Sequence, residues 1–133
     1  MDKVSALDSK AVEEFVGKAH GDLDRITEML ESEPGLINSA WDWGGGDWET
    51  ALGAASHMGR KDIANYLLKN GARIDLFAAV MLGNLEIVRS VLKVYPEAIN
   101  VPGPHGISLI THAEIGGEDS KAVLDFLKSI ELT

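Results

Sequence analysis

The sequence predicts an all-α chain, a short solenoid of about four irregular helix-turn-helix units carrying one or two hairpin loops. Three observations predict it. Four segments, "FVGKAHGDLDRITEML", "ALGAASHMGRKDIANYLL", "LFAAVMLGNLEIVRSVL" and "ITHAEIGGEDSKAVLDFL", share one layout: small or apolar residues, a glycine, then a helical apolar stripe. Each stripe is one-sided, so each unit must bury its face against a neighbour. Two β-like runs of useful length are absent.

Aligning Gly21, Gly59, Gly83 and Gly117 places Leu30, Leu68, Leu92 and Phe126 nine residues later. The stripes are Leu23, Ile26 and Leu30; Ile63 and Leu67; Val88, Val91 and Leu92; and Val123, Phe126 and Leu127, all at helical spacings. The glycine supplies the tight reversal between the two helices of a unit. Thr50 and Ser120 are predicted to cap helices, and Asn70-Gly71 to stop one. The glycines are unevenly spaced, with Gly59 and Gly83 closest together. A second likeness accounts for this. "ESEPGLIN" after Leu30 and "KVYPEAIN" after Leu92 both place proline four residues beyond the leucine, and each leads into a glycine-rich segment, "SAWDWGGGDWE" or "VPGPHG". Long and short connections are therefore expected to alternate, with two hairpins and none before the third unit.

These residues carry a resemblance. "TALGAASHMGRKDIANYLLKNGARID", residues 50–75, is similar to the ankyrin repeat, whose core reads T-P-L-H-x-A-A-x-x-G and whose second helix ends near L-L-x-x-G-A. Thr50, Leu52, Ala55, Gly59, Ile63, Leu67, Leu68, Gly71 and Ala72 fit, while Ala51 and Gly53 stand where the family has proline and histidine. The likeness extends in weaker form over about residues 10 to 130 and resembles small bacterial ankyrin-repeat proteins as a group. It implies one domain over 1–133, whose first and last helices act as polar caps, and whose hairpin tips and first-helix ends face partners.

Composition narrows the function. The 133 residues carry 21 acidic and 12 basic side chains for a net charge of -9, which argues against nucleic acid and anionic membrane surfaces and favours a basic partner if it favours any. The absence of cysteine excludes disulfides, thiolate nucleophiles and cysteine metal sites. "MDKVSALDSK" lacks the apolar core of a secretory signal, and no window approaches the roughly 18 apolar residues of a membrane span, so a soluble, cytoplasmic monomer is expected.

The segment "WDWGGGDWE" holds all three tryptophans. With the glycines as a reversal, Trp41 and Trp43 share one face, Trp43 comes near Asp47, and Trp48 comes near Asp42. Either the indoles form a contact patch framed by Asp42, Asp47 and Glu49, or they pack on the next repeat and stiffen the hairpin. The resemblance implies a second surface at the ends of the first helices: Ala19 and His20, His57 and Met58, Met81 and Leu82, Ile115 and Gly116, with His112 facing similarly. Met58, Met81, Leu82 and Ile115 would make that groove apolar.

Catalysis and metal binding find little support in the letters. HExxH, P-loop and GxSxG patterns are absent, and repeat-to-repeat distances of about 10 Å place His20, His57 and His112 too far apart to share an ion. "GPHGISL" reads as a helix-leading turn with His105 bonded to backbone. No catalytic residue, metal site or cofactor is assigned, and the chain is expected not to be an enzyme. The expected function is binding of a protein or peptide through the hairpin and groove residues Trp41, Asp42, Trp43, Asp47, Trp48, His57, Met58, Met81, Leu82, His112 and Ile115. The alternative is a small-ligand or hydrolase-like site that combines tryptophans with His57 and His112.

Overall fold

The computed structural model describes residues 4–131. Within them run four helix pairs: α1 (Ser9–Lys18) with α2 (Leu23–Ser32), α3 (Ala51–His57) with α4 (Lys61–Lys69), α5 (Leu76–Met81) with α6 (Leu85–Val94), and α7 (Leu109–Ile115) with α8 (Lys121–Glu131). The first helices stack in sequence, α1 on α3, α3 on α5 and α5 on α7. Small side chains permit this. Every residue of α3 from Ala51 to Ser56 is buried, because alanine and glycine let neighbouring backbones approach from both sides.

The second helices are amphipathic as the stripes predict. α2 buries Ile26, Met29 and Leu30, α4 buries Ile63, Ala64 and Leu67, α6 buries Val88 and Leu92, and Val123 and Leu127 are buried on α8. Two apolar clusters meet at α5. Ala78 and Met81 belong with Phe15, Ile26 and Leu67, whereas Ala79 and Val80 belong with Val88, Leu109 and Leu127. The stack is therefore continuous across its shortest helix. Among the described residues no helix is long and apolar enough to cross a membrane.

The turns follow the glycines, with one exception. Gly59, Gly83 and Gly117 take φ of 67°, 78° and 65°, but Gly21 turns without a positive φ. Thr50 caps α3 by accepting the Gly53 N–H at 3.0 Å, and α4 ends at Asn70-Gly71. Ser120 does not act as the predicted cap. It is buried, and its hydroxyl lies 2.9 Å from the Val80 carbonyl and 2.6 Å from that of Met81, tying the end of α5 to the last unit.

The two proline-containing connections fold alike, as 3-10 turns over Pro34–Asn38 and Pro96–Asn100. Asn38 then bridges the turn to the second unit. Its amide donates to the Gly71 carbonyl at 3.1 Å, and its oxygen accepts the Arg73 N–H at 2.9 Å. The first connection continues into an antiparallel hairpin of β1 (Ala40–Asp42) and β2 (Trp48–Thr50), paired Ala40 to Thr50, Trp41 to Glu49 and Asp42 to Trp48. The second does not form the hairpin expected of it. Pro104–Gly106 make a further 3-10 turn, closed by a 2.8 Å bond from the Gly103 N–H to the Ile107 carbonyl. α5 starts directly after its capping residue Asp75, so the third unit has no hairpin, as the short connection predicts.

Gly83 is the least replaceable of the turn glycines, since a β-carbon there would run into the Asp119 carbonyl. At Gly45, also at positive φ, a β-carbon meets nothing within 4 Å. Gly83→Ala is therefore expected to destabilise the chain by more than the roughly 1–2 kcal/mol that left-handed backbone alone costs alanine. Gly45→Ala should stay near that figure, and thermal unfolding of the two variants measures the difference.

Candidate functional site: a buried carboxylate ringed by histidines

The hairpin register sorts its side chains. Residues directly opposite in an antiparallel pair share a face, so Trp41, Trp43, Asp47 and Glu49 lie on one side, and Asp42 and Trp48 lie on the other. Gly44, Gly45 and Gly46 all take positive φ to close the reversal, and the Trp43 N–H bonds the Asp47 carbonyl at 3.0 Å. Asp42 is turned inward on this loop. Its carboxylate accepts the N–H groups of Gly44 at 2.8 Å and Gly46 at 2.9 Å, so it holds the reversal.

The first face carries a buried carboxylate. Glu49 is 1% exposed, and a carboxylate so placed must be compensated. The Trp43 indole N–H donates to its Oε1 at 2.9 Å. His20 Nε2 stands 3.2 Å from the same oxygen, while His57 Nε2 and His105 Nε2 stand 3.0 and 3.2 Å from Oε2. These residues come from α1's end, β2, α3 and the 3-10 turn before α7. The rings touch one another, with centroids 5.0 Å apart for His20 and His57 and 5.2 Å for His57 and His105. A β-carbon at Gly53, where the family has histidine, would lie in ordinary contact with Glu49 Cγ and Pro104 Cγ at 3.5 Å.

The outer faces of the rings are also fixed. His20 Nδ1 lies 2.9 Å from the Gly17 carbonyl and 3.1 Å from that of Val16, both of which only accept, so Nδ1 carries a proton. Asp47 grips the neighbouring turn twice, accepting the His105 N–H at 2.8 Å and meeting His105 Nδ1 at 2.7 Å. His105 takes a positive φ of 61°, a conformation this grip sustains. It is thus bonded to a carboxylate through its ring, not to backbone as the sequence suggested.

Charge follows from this packing. Burial alone would raise the Glu49 carboxyl, but the approach of His20 and His57 and the Trp43 N–H outweigh it and bring the carboxyl down to about 2. The Glu49 bond raises His20 above its ordinary value against the opposing effect of burial. The His105 backbone N–H lowers Asp47.

Several predicted site residues fall elsewhere. Met81 and His112 are fully buried, so neither lines an accessible groove. Leu82 and Ile115 are half-buried against the first apolar cluster. Trp41 is half-buried, whereas Met58 at 50%, Trp43 at 40% and Trp48 at 62% remain exposed. Glu49 is no rim acid. The expectation that repeat spacing separates the histidines also fails for His20 and His57. Their side chains lean toward the carboxylate between them, and His105 arrives from a loop, so separation of the helix axes does not set the separation of the rings. His112 stands apart, its Nδ1 2.8 Å from the Ser108 carbonyl and its ring 5.1 Å from that of Phe77.

Two predictions follow from these environments. Trp43→Phe removes the indole donor from a buried carboxylate oxygen and is expected to destabilise the fold by about 1–3 kcal/mol. Trp48→Phe on the solvent face should change stability by less than about 0.5 kcal/mol, and denaturant unfolding distinguishes them. His112 is held below its ordinary 6.5, chiefly by burial. As pH falls through 6.5 the unfolded chain takes a proton that the folded chain resists, so stability is lost on the acid side; His20, raised, contributes in the opposite sense. His112→Leu should accordingly lose less stability than the native chain between about pH 8 and pH 5, as measured by denaturant midpoints.

Residues 47–77 match the family model described as Ankyrin repeat, a span running from Asp47 through α3 and α4 to Phe77. No curated protein matches the chain. Ankyrin repeats generally mediate protein–protein interaction and are typically not enzymes. The matched unit is one ankyrin repeat, and it lies within a short helical solenoid of four stacked pairs.

Proposed function

We propose that the chain binds a protein or peptide partner through the outer face of its tryptophan hairpin, with Trp48 as the principal anchor and Met58 at the end of α3 contributing. The observation that carries this reading is the 62% exposure of Trp48 on a hairpin held rigid from behind. An indole left in water on an ordered support presents apolar area that loses little conformational freedom on binding, which is why tryptophan dominates many interface energies. Rigidity comes from the Asp42 loop bonds and from the clasp of Asp47 on the His105 turn. The net charge of -9 favours a partner with basic groups at its rim.

The groove half of the expected surface contracts to Met58, because Met81 is buried and Leu82 and Ile115 are half-covered. The alternative of a small-ligand or hydrolase-like site gains one observation and loses another. Trp43 and His57 do converge, on Glu49, but His112 is buried apart from them.

The partner reading is tested by comparing capture on the native chain with capture on a Trp48→Ala, Met58→Ala chain shown by circular dichroism to remain helical. Both side chains are exposed, so the variant is expected to fold. A protein retained by the native chain and weakened at least about tenfold by the variant supports the reading. Equal retention by both chains, or retention by neither, overturns it.

A further inference from the structure

We propose that His20, Glu49, His57 and His105 form a binding site for one divalent first-row transition-metal ion, zinc being the natural fit, with the three histidines ligating through Nε2 and Glu49 through Oε2. Each residue offers one ligand atom, and the four atoms lie within 4.8 Å of one another. The inference goes beyond partner binding and does not depend on it.

The hydrogen bonds behind the rings carry the argument. His20 and His105 both commit Nδ1–H to outer acceptors, the Gly17 and Val16 carbonyls for one and the Asp47 carboxylate for the other. In the neutral rings this leaves Nε2 as a bare lone pair, and each stands 3.2 Å from a carboxylate oxygen of Glu49 without the alignment of a hydrogen bond. A lone pair beside a carboxylate is repelled, so each contact calls for a proton on the ring or a cation between the groups. Protonating His20 and His105 instead would set two imidazoliums against the His57 ring, with adjacent centroids 5.0 and 5.2 Å apart, around one buried carboxylate. One dication satisfies all four groups together.

The inner atoms show the same convergence. Glu49 Oε2 and His57 Nε2 are buried and lie only 3.0 Å apart, yet they are not aligned as a hydrogen bond. Atoms that both point toward a common third position adopt this relation. Ligands about 2.0–2.1 Å from a tetrahedral zinc ion stand about 3.3–3.4 Å from one another, close to the 3.0 and 3.2 Å separating Glu49 Oε2 from His57 and His105, and His20 Nε2 lies within 4.8 Å of the other ligand atoms. Histidines that donate their second N–H to a carboxylate or carbonyl, and a carboxylate steadied by a further donor such as the Trp43 N–H, make the outer shell that orients metal ligands. Three imidazoles with one carboxylate favour zinc, iron, nickel or copper over magnesium or calcium. The His20 and His105 side chains remain 27% and 33% exposed, which gives an ion a way in.

The test uses the full chain, freed of metal by chelation and titrated with zinc chloride in a calorimeter, beside His105→Ala and Asp47→Asn chains checked by circular dichroism. Saturable binding of one ion per native chain is expected, with a raised thermal midpoint. Asp47→Asn, which replaces the carboxylate that meets both the His105 ring and its backbone N–H, should weaken zinc by roughly 10–100-fold, and loss of the ligand in His105→Ala should weaken it further. Absence of one-to-one binding, or equal binding by the native and His105→Ala chains, overturns the proposal. Should His105→Ala fail to fold, cobalt(II) bound to the native chain decides. A four- or five-coordinate visible spectrum supports the site, and a spectrum like that of hydrated cobalt(II) overturns it.

Discussion

A carboxylate withdrawn from water has to be compensated by its neighbours, and the Glu49 side chain places that demand where the first, second and fourth units meet. Meeting it fixes much else. The hairpin must present its Glu49 face inward, α1 must end with His20 turned toward it, α3 must end at His57, and the turn before α7 must reach back to bring His105. Trp43 closes the side nearest α1, where its ring packs over Gly17. The solvent face of the same hairpin is left free to display Trp48.

The irregularity of the repeat is what makes this assembly possible. A full row of hairpins would put a third-unit hairpin between the first hairpin and the fourth-unit loop. Because α5 follows directly on Asp75, the loop of residues 101–107 crosses that position and Asp47 seizes its backbone and its histidine together. Departures from the family pattern thus gather at the site: Gly53, in place of histidine, lies beside Glu49 and Pro104, and the short third connection clears the path. Across the stack, Ser120 and the Lys61 ammonium, 2.7 Å from the Gly116 carbonyl, tie the last unit back to the second and third. The exposed Trp48 and the buried Glu49 carboxylate then occupy opposite faces of one hairpin.

Much of the fold was legible because it depends on local pattern. The stripes of α2, α4, α6 and α8 follow from three- and four-residue spacing, the reversals at Gly59, Gly83 and Gly117 from backbone freedom, and the likeness of the two proline-containing connections from their shared proline and Ile-Asn positions. The hairpin register was also within reach, since Trp43 near Asp47 and Trp48 near Asp42 follow from a three-glycine reversal. That register already put Glu49 on the face of Trp41 and Trp43, a signal that Glu49 was no ordinary surface acid. Ser120, Met81 and His112 were misplaced for the opposite reason. A small hydroxyl before a helix, a methionine at a helix end and a histidine on a shared face all look the same in sequence whether or not a neighbouring unit covers them.

The sequence by itself determined the number of helix pairs, the faces they bury, where the chain reverses, and which connections are long, because each depends on residues within a turn or two of one another. Only the tertiary structure decided that His20, Glu49, His57 and His105 meet, since they are far apart in the chain and no short spacing links them. Reasoning from helix separation measured the distance between backbones, while the chemistry is set by where side chains end, and those ends are directed by packing, by the Asp47 clasp and by the demand of one buried charge.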